Sequence, residues 1–194
     1  LLIISALNNK ITSEEDFKRF SDLPVAGHII HSIREYQTVV LTDPKSQVAE
    51  TFRSLRTRLQ FFTKETPSPA ILITSSMPAE GKTFASINLA SAYSLAGKKT
   101  VLVGFDLRKP RRYSDFNIGE DKGVSTYLIG RDSLKYIIND SGYENLYIIP
   151  SGPVPPNPSE LAASAKTKEL ISELKQMFDY IIIDSAPIGT VSDT

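Results

Sequence analysis

Gly81-Lys82-Thr83 stands between an apolar run, Ile71 to Thr74, and a helix-forming segment, and a short polar loop with one proline joins them. That is the order of parts in a phosphate-binding loop. Backbone N–H groups from Ala79 to Thr83 are placed to wrap a pyrophosphate, and the helix that follows turns its positive end toward it. Lys82 would reach the β- and γ-phosphates, and the Thr83 hydroxyl would hold Mg²⁺. Gly81 lets the backbone approach the phosphate closely. Ser76 occupies the place of the first glycine in the G-x-x-x-x-G-K-[ST] pattern, where a small residue suffices. The expected nucleotide-binding stretch is therefore Pro78, Ala79, Glu80, Gly81, Lys82, Thr83 and Phe84.

A magnesium nucleotide needs further oxygen ligands. Asp106 in "VLVGFDLRKP" and Asp184 in "YIIIDSAP" each end an apolar run. A carboxylate in that position is costly to bury unless a cation meets it. Both are expected to converge on Lys82 and to complete, with Thr83, a magnesium shell.

The elements that must position these groups are legible as patterns. "AILIT", "TVLVG", "LYIIP" and "YIIID" are short unbroken apolar runs, the pattern of parallel strands buried on both faces. Helices are expected between them, over 81 to about 95, in short pieces near 123 to 138, and over 158 to 177. The last has Asn157 as cap, Pro158 at its first position and Glu160 closing a capping box. This alternation predicts an α/β domain, a doubly wound and mostly parallel sheet with ligands at the carboxyl ends of its strands. Four strands are few for such a sheet, and further strands are expected beyond Thr194. "SQVAETFRSLRTRLQFFTK" predicts an amphipathic helix with Val48, Phe52, Leu55, Leu59 and Phe62 on one face. "TSEEDFKRFSDLP" predicts a short helix capped by Thr12 or Ser13, with Phe17 and Phe20 on a common face, and "VAGHII" a short strand or extended segment. Residues 32 to 45 are polar and mixed. They divide a small N-terminal segment with its linker, 1–45, from the main domain, 46–194.

Composition excludes several alternatives. The 194 residues carry 22 basic and 22 acidic side chains, so no net field draws nucleic acid or membrane. "RKPRRY" is a basic patch without a reading element, and no nucleic-acid partner is expected. There is no cysteine, which excludes disulfides and thiolate metal sites. His28 and His31 are expected in structural or surface roles. No run approaches the roughly 20 apolar residues that span a bilayer. The opening "LLIISAL" fits either a small core element or the end of a transmembrane helix.

Taken together the motifs resemble a known family. "SSMPAEGKT", "FDLRKP" and "IIIDSAP" look like the Walker A, Walker A′ and Walker B motifs of the bacterial tyrosine kinases, autokinases that control capsule and exopolysaccharide export. "AETFRSLRTRLQF" is similar to the family's Glu-x-x-Arg-x-x-Arg helix, and "SGPVPPNPSELAAS" to a proline-rich stretch of the family. "NNKITSEEDFKRFSDLPVAGHI" resembles the juxtamembrane segment that joins a chain-length-determinant transmembrane part to the kinase. The resemblance implies a P-loop fold with ATP and Mg²⁺ as cofactors, and Lys82, Asp106, Arg108 and Asp184 as the catalytic set. It implies a ring-like homo-oligomer with Glu50, Arg53 and Arg56 at the subunit contact, although spacing alone describes those three equally well as a solvated face. It further implies a neighbour's tyrosine-rich C-terminal tail as acceptor, a transmembrane partner region, and a place on the cytoplasmic face of the bacterial inner membrane.

Two departures stand out. The family's Walker A′ motif reads Asp-x-Asp-x-Arg, whereas this chain has Gly104-Phe105-Asp106-Leu107-Arg108. The carboxylate thought to accept the tyrosine proton is absent, so either Asp106 serves as base or turnover is slow; comparing autophosphorylation with that of Gly104→Asp would separate the cases. The acceptor tyrosine cluster is also absent, since the last tyrosine, Tyr180, lies in an expected strand. Two rivals follow: a partitioning-type or septum-placement P-loop ATPase, which usually carries an extra lysine where this chain has Ser75-Ser76-Met77, and a non-catalytic nucleotide-binding module of the export machinery.

Overall fold

The computed structural model of the chain describes residues 14–32 and 36–189. The opening "LLIISAL" and the caps Thr12 and Ser13 lie outside them. Among the described residues five strands form one sheet: β1 (Ala70–Ile73), β2 (Thr100–Phe105), β3 (Asn139–Asp140), β4 (Leu146–Ile149) and β5 (Tyr180–Ser185), in the order β1-β5-β2-β4-β3. β1, β5, β2 and β4 run parallel, while the two-residue β3 pairs antiparallel with β4. The helices are α1 (Glu14–Lys18), α2 (Val39–Thr42), α3 (Gln47–Phe62), α4 (Lys82–Ser94), α5 (Val124–Leu128), α6 (Leu134–Ile137), α7 (Pro158–Ala162) and α8 (Ala165–Met177).

Alternation along the strands builds two cores. Leu102 of β2 and Ile182 of β5 pack with Phe52 of α3 and Ile87 and Tyr93 of α4 on one face. Val101 and Val103 of β2 and Ile181 of β5 pack with Val124 of α5, Ile137 of α6 and Leu170 and Leu174 of α8 on the other. Each such side chain, fully removed from water, contributes about 1.5–3 kcal/mol before entropy is counted. The sheet is thus covered on both sides, as the unbroken apolar runs predict.

β1 departs from that prediction. Ile71 and Ile73 pack on the α3–α4 core, but Ala70 and Leu72 are exposed, because β1 lies at the sheet edge and only one of its faces is covered. The α3 stripe is likewise partial: Ala49 and Phe52 are buried, Val48, Leu55 and Leu59 pack against them, and Phe62 in the last turn stays exposed. α1 has no buried residue, and Phe20, past its end, points to solvent, so Phe17 and Phe20 form no core face. "VAGHII" forms no strand, and His28 lies at the surface beside Glu14.

Part of the expected linker belongs to the core. Val39 and Val40 of α2 are fully buried, held by Asn88 of α4, which accepts from the Val40 N–H at 2.8 Å and donates to the carbonyls of Gln37 and Phe84. A single buried amide thereby ties the chain before α3 to the helix that opens at Lys82. The expected 158–177 helix is two helices, α8 restarting at Ser164. Pro158 takes the first position of α7, but Asn157 donates to the Glu160 side chain instead of capping the backbone.

One close approach fixes how α5 meets the sheet. The N–H groups of Val124 and Ser125 donate to the carbonyls of Pro150 and Ser151 beyond β4, at 2.9 Å each. That contact requires a bare α-carbon at 123, where an added Cβ would lie 2.2 Å from the Pro150 oxygen and 2.4 Å from the Gly152 nitrogen. Gly123→Ala is therefore expected to cost about 3 kcal/mol, the upper part of the overpacking range. A urea melt would check this.

Candidate functional site

The site grows from the carboxyl ends of β1, β2 and β5. Register places Ile73, Asp184 and Gly104 in one row across the three strands. The loop after β1 begins on that row, and α4 opens from its far end with Gly81 at φ 88° as N-cap, a left-handed backbone that glycine adopts without strain. Ala79 is also left-handed, at φ 68°, which costs a residue with a Cβ about 1 kcal/mol.

The loop is shaped from within. The Glu80 carboxylate accepts the N–H groups of Ser76 at 2.8 Å and Met77 at 3.2 Å, and the Ser75 hydroxyl donates to the Met77 carbonyl. Its flanks are clasped to the segment after β5. The Thr74 hydroxyl donates to the Ala186 carbonyl, the Ser185 hydroxyl to that of Ile73, and the N–H groups of Ile188 and Gly189 to the carbonyls of Ser75 and Ser76. Residues 76 to 81 nevertheless face solvent.

Behind the loop lie the charged groups. Lys82 is 8 % exposed, Asp106 6 % and Asp184 2 %. Asp184 accepts from the hydroxyls of Thr83 and Ser86, the latter at 3.3 Å to Oδ1, and from Tyr113 at 3.5 Å to Oδ2. Burial raises its pKa above the usual carboxylate range, and the Asp106 charge adds to the rise; the hydroxyls of Thr83 and Ser86 and the Lys82 charge oppose it. Asp106 accepts the N–H groups of Arg108 and Lys109 at 3.3 and 2.9 Å, closing a turn at the tip of β2. Burial, with Asp184 second, keeps the Tyr113 phenol well above its ordinary value, so it remains a donor.

Lys82, Thr83, Asp106 and Asp184 thus come together as their positions in the sequence predict. A carboxylate pair and a hydroxyl are the hard oxygen donors that Mg²⁺ takes, with phosphate oxygens and water completing the shell. Among the described residues no three His, Cys, Asp or Glu side chains cluster as a metal site of their own. Two hollows of about 700 and 470 Å³ flank the loop, sharing Gln37, Ala79, Gly81, Lys82 and Phe84. The second is also lined by Arg111 and Arg112, the basic patch that composition left without a partner. Pro78 is exposed in the loop, and Phe84 packs edge-on against Phe52.

Other expected members stand apart. The Arg108 guanidinium reaches the Ser159 hydroxyl of α7. On α3, Glu50 pairs with Arg53 at 2.6 Å, and Arg53 also donates to the Pro44 carbonyl. Arg56 donates to the Ala92 carbonyl of α4, while its buried Nε has no hydrogen-bond partner. Three groups escaped sequence reasoning. Ser86 lies one helical turn past Lys82, so helix periodicity alone could have found it. Tyr113 and Ser151 reach the site only through tertiary packing, and no spacing marks them. The substitution meant to restore a carboxylate also fails on space. A Cβ at 104 would stand 2.9 Å from both the Tyr113 hydroxyl and Ser151 Oγ, so Gly104→Asp does not simply refill an empty place.

A family model described as an AAA domain matches residues 70–192. The tyrosine-protein kinase YwqD of Bacillus subtilis is 36% identical over 155 residues, 80% of this chain and 65% of its own length. The tyrosine-protein kinase Etk of Escherichia coli is 32% identical over 163 residues, 84% of this chain and 22% of its own length. This chain therefore spans just under two thirds of the first relative and about a fifth of the second. The solved kinase domain of Etk superposes with a TM-score of 0.85 at 29% identity, covering 93% of this chain and 75% of that one. The septum site-determining protein MinD of Pyrococcus horikoshii, solved with Mg-ADP, is more distant, with a TM-score of 0.52 at 30% identity over 60% of this chain and 48% of its own.

Proposed function

Because the chain belongs to the bacterial tyrosine-kinase family, we propose that it binds ATP with Mg²⁺ and transfers the γ-phosphate to protein tyrosine, regulating polysaccharide synthesis and export. The observation that carries this reading is the convergence of Lys82, Thr83, Asp106 and Asp184 behind one solvent-facing loop. MgATP supplies the phosphoryl group and a cation that spreads its charge, so the work left to the protein is positioning and electrostatic complementarity. Backbone N–H groups from Ala79 to Thr83 would hold the phosphates, Lys82 would neutralise their charge, and Thr83, Asp106 and Asp184 would hold Mg²⁺. Arg111 and Arg112 line the hollow beside Lys82 and would draw an anionic ligand toward it.

The same reading extends to assembly. In a ring, a neighbouring subunit would meet Glu50 and Arg53, which pair with each other on α3, and Arg56, whose guanidinium donates to the Ala92 carbonyl of α4. The acceptor would be a tyrosine-rich C-terminal tail of that neighbour. The setting would be the cytoplasmic face of the bacterial inner membrane, beside a transmembrane chain-length-determinant region. Among the described residues no helix is long and apolar enough to cross a membrane.

A second reading is favoured by one specific observation. Gly104 brings no carboxylate to the row beside Asp184, and a general base is worth about 10²–10⁴ in rate. A slow kinase and a nucleotide-binding regulatory module are both compatible with that loss. Incubation with γ-labelled ATP and a tyrosine-rich acceptor separates them. Phosphotyrosine is the expected product; binding without transfer would assign the regulatory module, and phosphate release without transfer the ATPase.

A further inference from the structure

Neighbouring strands in a sheet lie about 4.8 Å apart, and side chains in one row of a parallel pair point to the same face. Gly104 is in the row of Asp184, so a side chain there would lie beside the Asp184 carboxylate. The chain leaves that place without a side chain of its own and fills it from another segment. Tyr113, at the entry to a single 3₁₀ turn (Ser114–Phe116), brings its hydroxyl to 2.9 Å from where the Cβ of residue 104 would stand. The ring is 2 % exposed and packs in the α3–α4 core, so it has no room to swing aside. Ser151 crowds the same point with its Oγ at 2.9 Å and its backbone nitrogen at 3.1 Å.

We propose that Tyr113 is a positioning residue: its hydroxyl, admitted by the bare α-carbon of Gly104, donates to Asp184 and fixes the direction in which that carboxylate faces Lys82 and Thr83. The role rests on the phosphoryl-transfer reading above. Asp184 is held at both oxygens from different elements, Oδ1 by Ser86 of α4 and Oδ2 by Tyr113. Bonds to both oxygens oppose rotation about the terminal torsion, which is otherwise broad for a carboxylate. The remaining lone pairs then keep one direction toward a bound cation. Partners of this kind orient the groups that touch a metal without touching it themselves. The device is also neutral. A carboxylate at 104 would put a second negative charge against Asp184, whereas a phenol steadies it and adds none.

The pairing makes two linked tests available. Tyr113→Phe keeps the ring and removes the donor. The magnesium concentration at half-saturation for binding a fluorescent ATP analogue is expected to rise roughly tenfold, the low end for loss of such a partner. Binding in EDTA and kcat at saturating Mg²⁺ are expected to change little, a split that a merely structural role would not produce. In thermal unfolding without nucleotide, Gly104→Ala is expected to lower the midpoint in the parent chain and to lower it less in the Tyr113→Phe background, where the clashing hydroxyl is gone. Unchanged magnesium dependence, or strictly additive thermal effects, overturns the proposal while the kinase reading stands. A parent chain that binds no magnesium nucleotide overturns the kinase reading, and the positioning role with it.

Discussion

Lys82→Met is expected to lower phosphotyrosine formation by about 10²–10³-fold, the loss seen when a preorganised charge or donor is taken from a transferring group. Lys82 is the first residue of α4 and is nearly buried, with its charge set against Asp184. Methionine keeps the length and apolar stem, so the packing of α4 against the sheet survives. What disappears is the cation that, in the proposed reaction, would meet developing charge on the γ-phosphoryl oxygens, and at a side chain so nearly buried no solvent dipole replaces it. The effect should fall mainly on kcat, because the loop N–H groups still bind the phosphates in the ground state. Initial rates with labelled ATP across nucleotide concentrations check this. A variant within threefold of the parent rate would remove Lys82 from the chemistry.

Asp184→Asn is expected to act in opposite directions on activity and on stability. If Asp184 holds Mg²⁺ as proposed, loss of its charge should cost about 10²-fold in transfer, read as a higher Mg²⁺ requirement as well as a lower rate. The metal-free protein, however, should melt at a higher temperature near neutral pH. Burial is the main cause that lifts the Asp184 pKa above its unfolded value of 3.8, so in the fold the charged form is the disfavoured one. The sign follows from linkage. At pH values between the unfolded and the raised folded pKa the native state holds the proton more tightly, and stability is lost as pH rises through that window. The parent chain should therefore approach the variant as pH falls toward 4, and trail it above the folded pKa. Melts in EDTA across that range test the prediction. A variant less stable than the parent at every pH would mean that the hydroxyls and Lys82 outweigh the cost of burial. That result would make Asp184 a carboxylate kept for function at a cost in stability.

The sequence revealed those parts of the site that local chemistry dictates. A strand, a small polar loop and Gly-Lys-Thr leave few alternatives, and an aspartate at the end of an apolar run needs a cation wherever it goes. Asp184 and Asp106 were legible for that reason, as was the two-faced sheet, since β2, β4 and β5 each carry an unbroken apolar run, over 101–103, 146–149 and 180–183. What stayed hidden depends on register and on long-range contacts. Tyr113 stands seven residues past Asp106 and looks like any aromatic beside a basic patch; only the alignment of β2 with β5 brings it to Asp184. Asn88 is unremarkable within a helix pattern, yet it draws α2 out of an apparent linker and into the core. β1 reads like its neighbours, because an apolar run does not say whether a helix covers its second face.

Glu80 gives the nucleotide loop an anion of its own. With its carboxylate already drawing in the N–H groups of Ser76 and Met77, the turn is organised before any ligand arrives. Such a loop behaves as a mould rather than a lasso: the ordering entropy is lost during folding, and the phosphates of the proposed nucleotide would meet a finished shape. Selectivity then lies in fit rather than in closure, so a ligand that does not match the cast gains nothing from loop rearrangement.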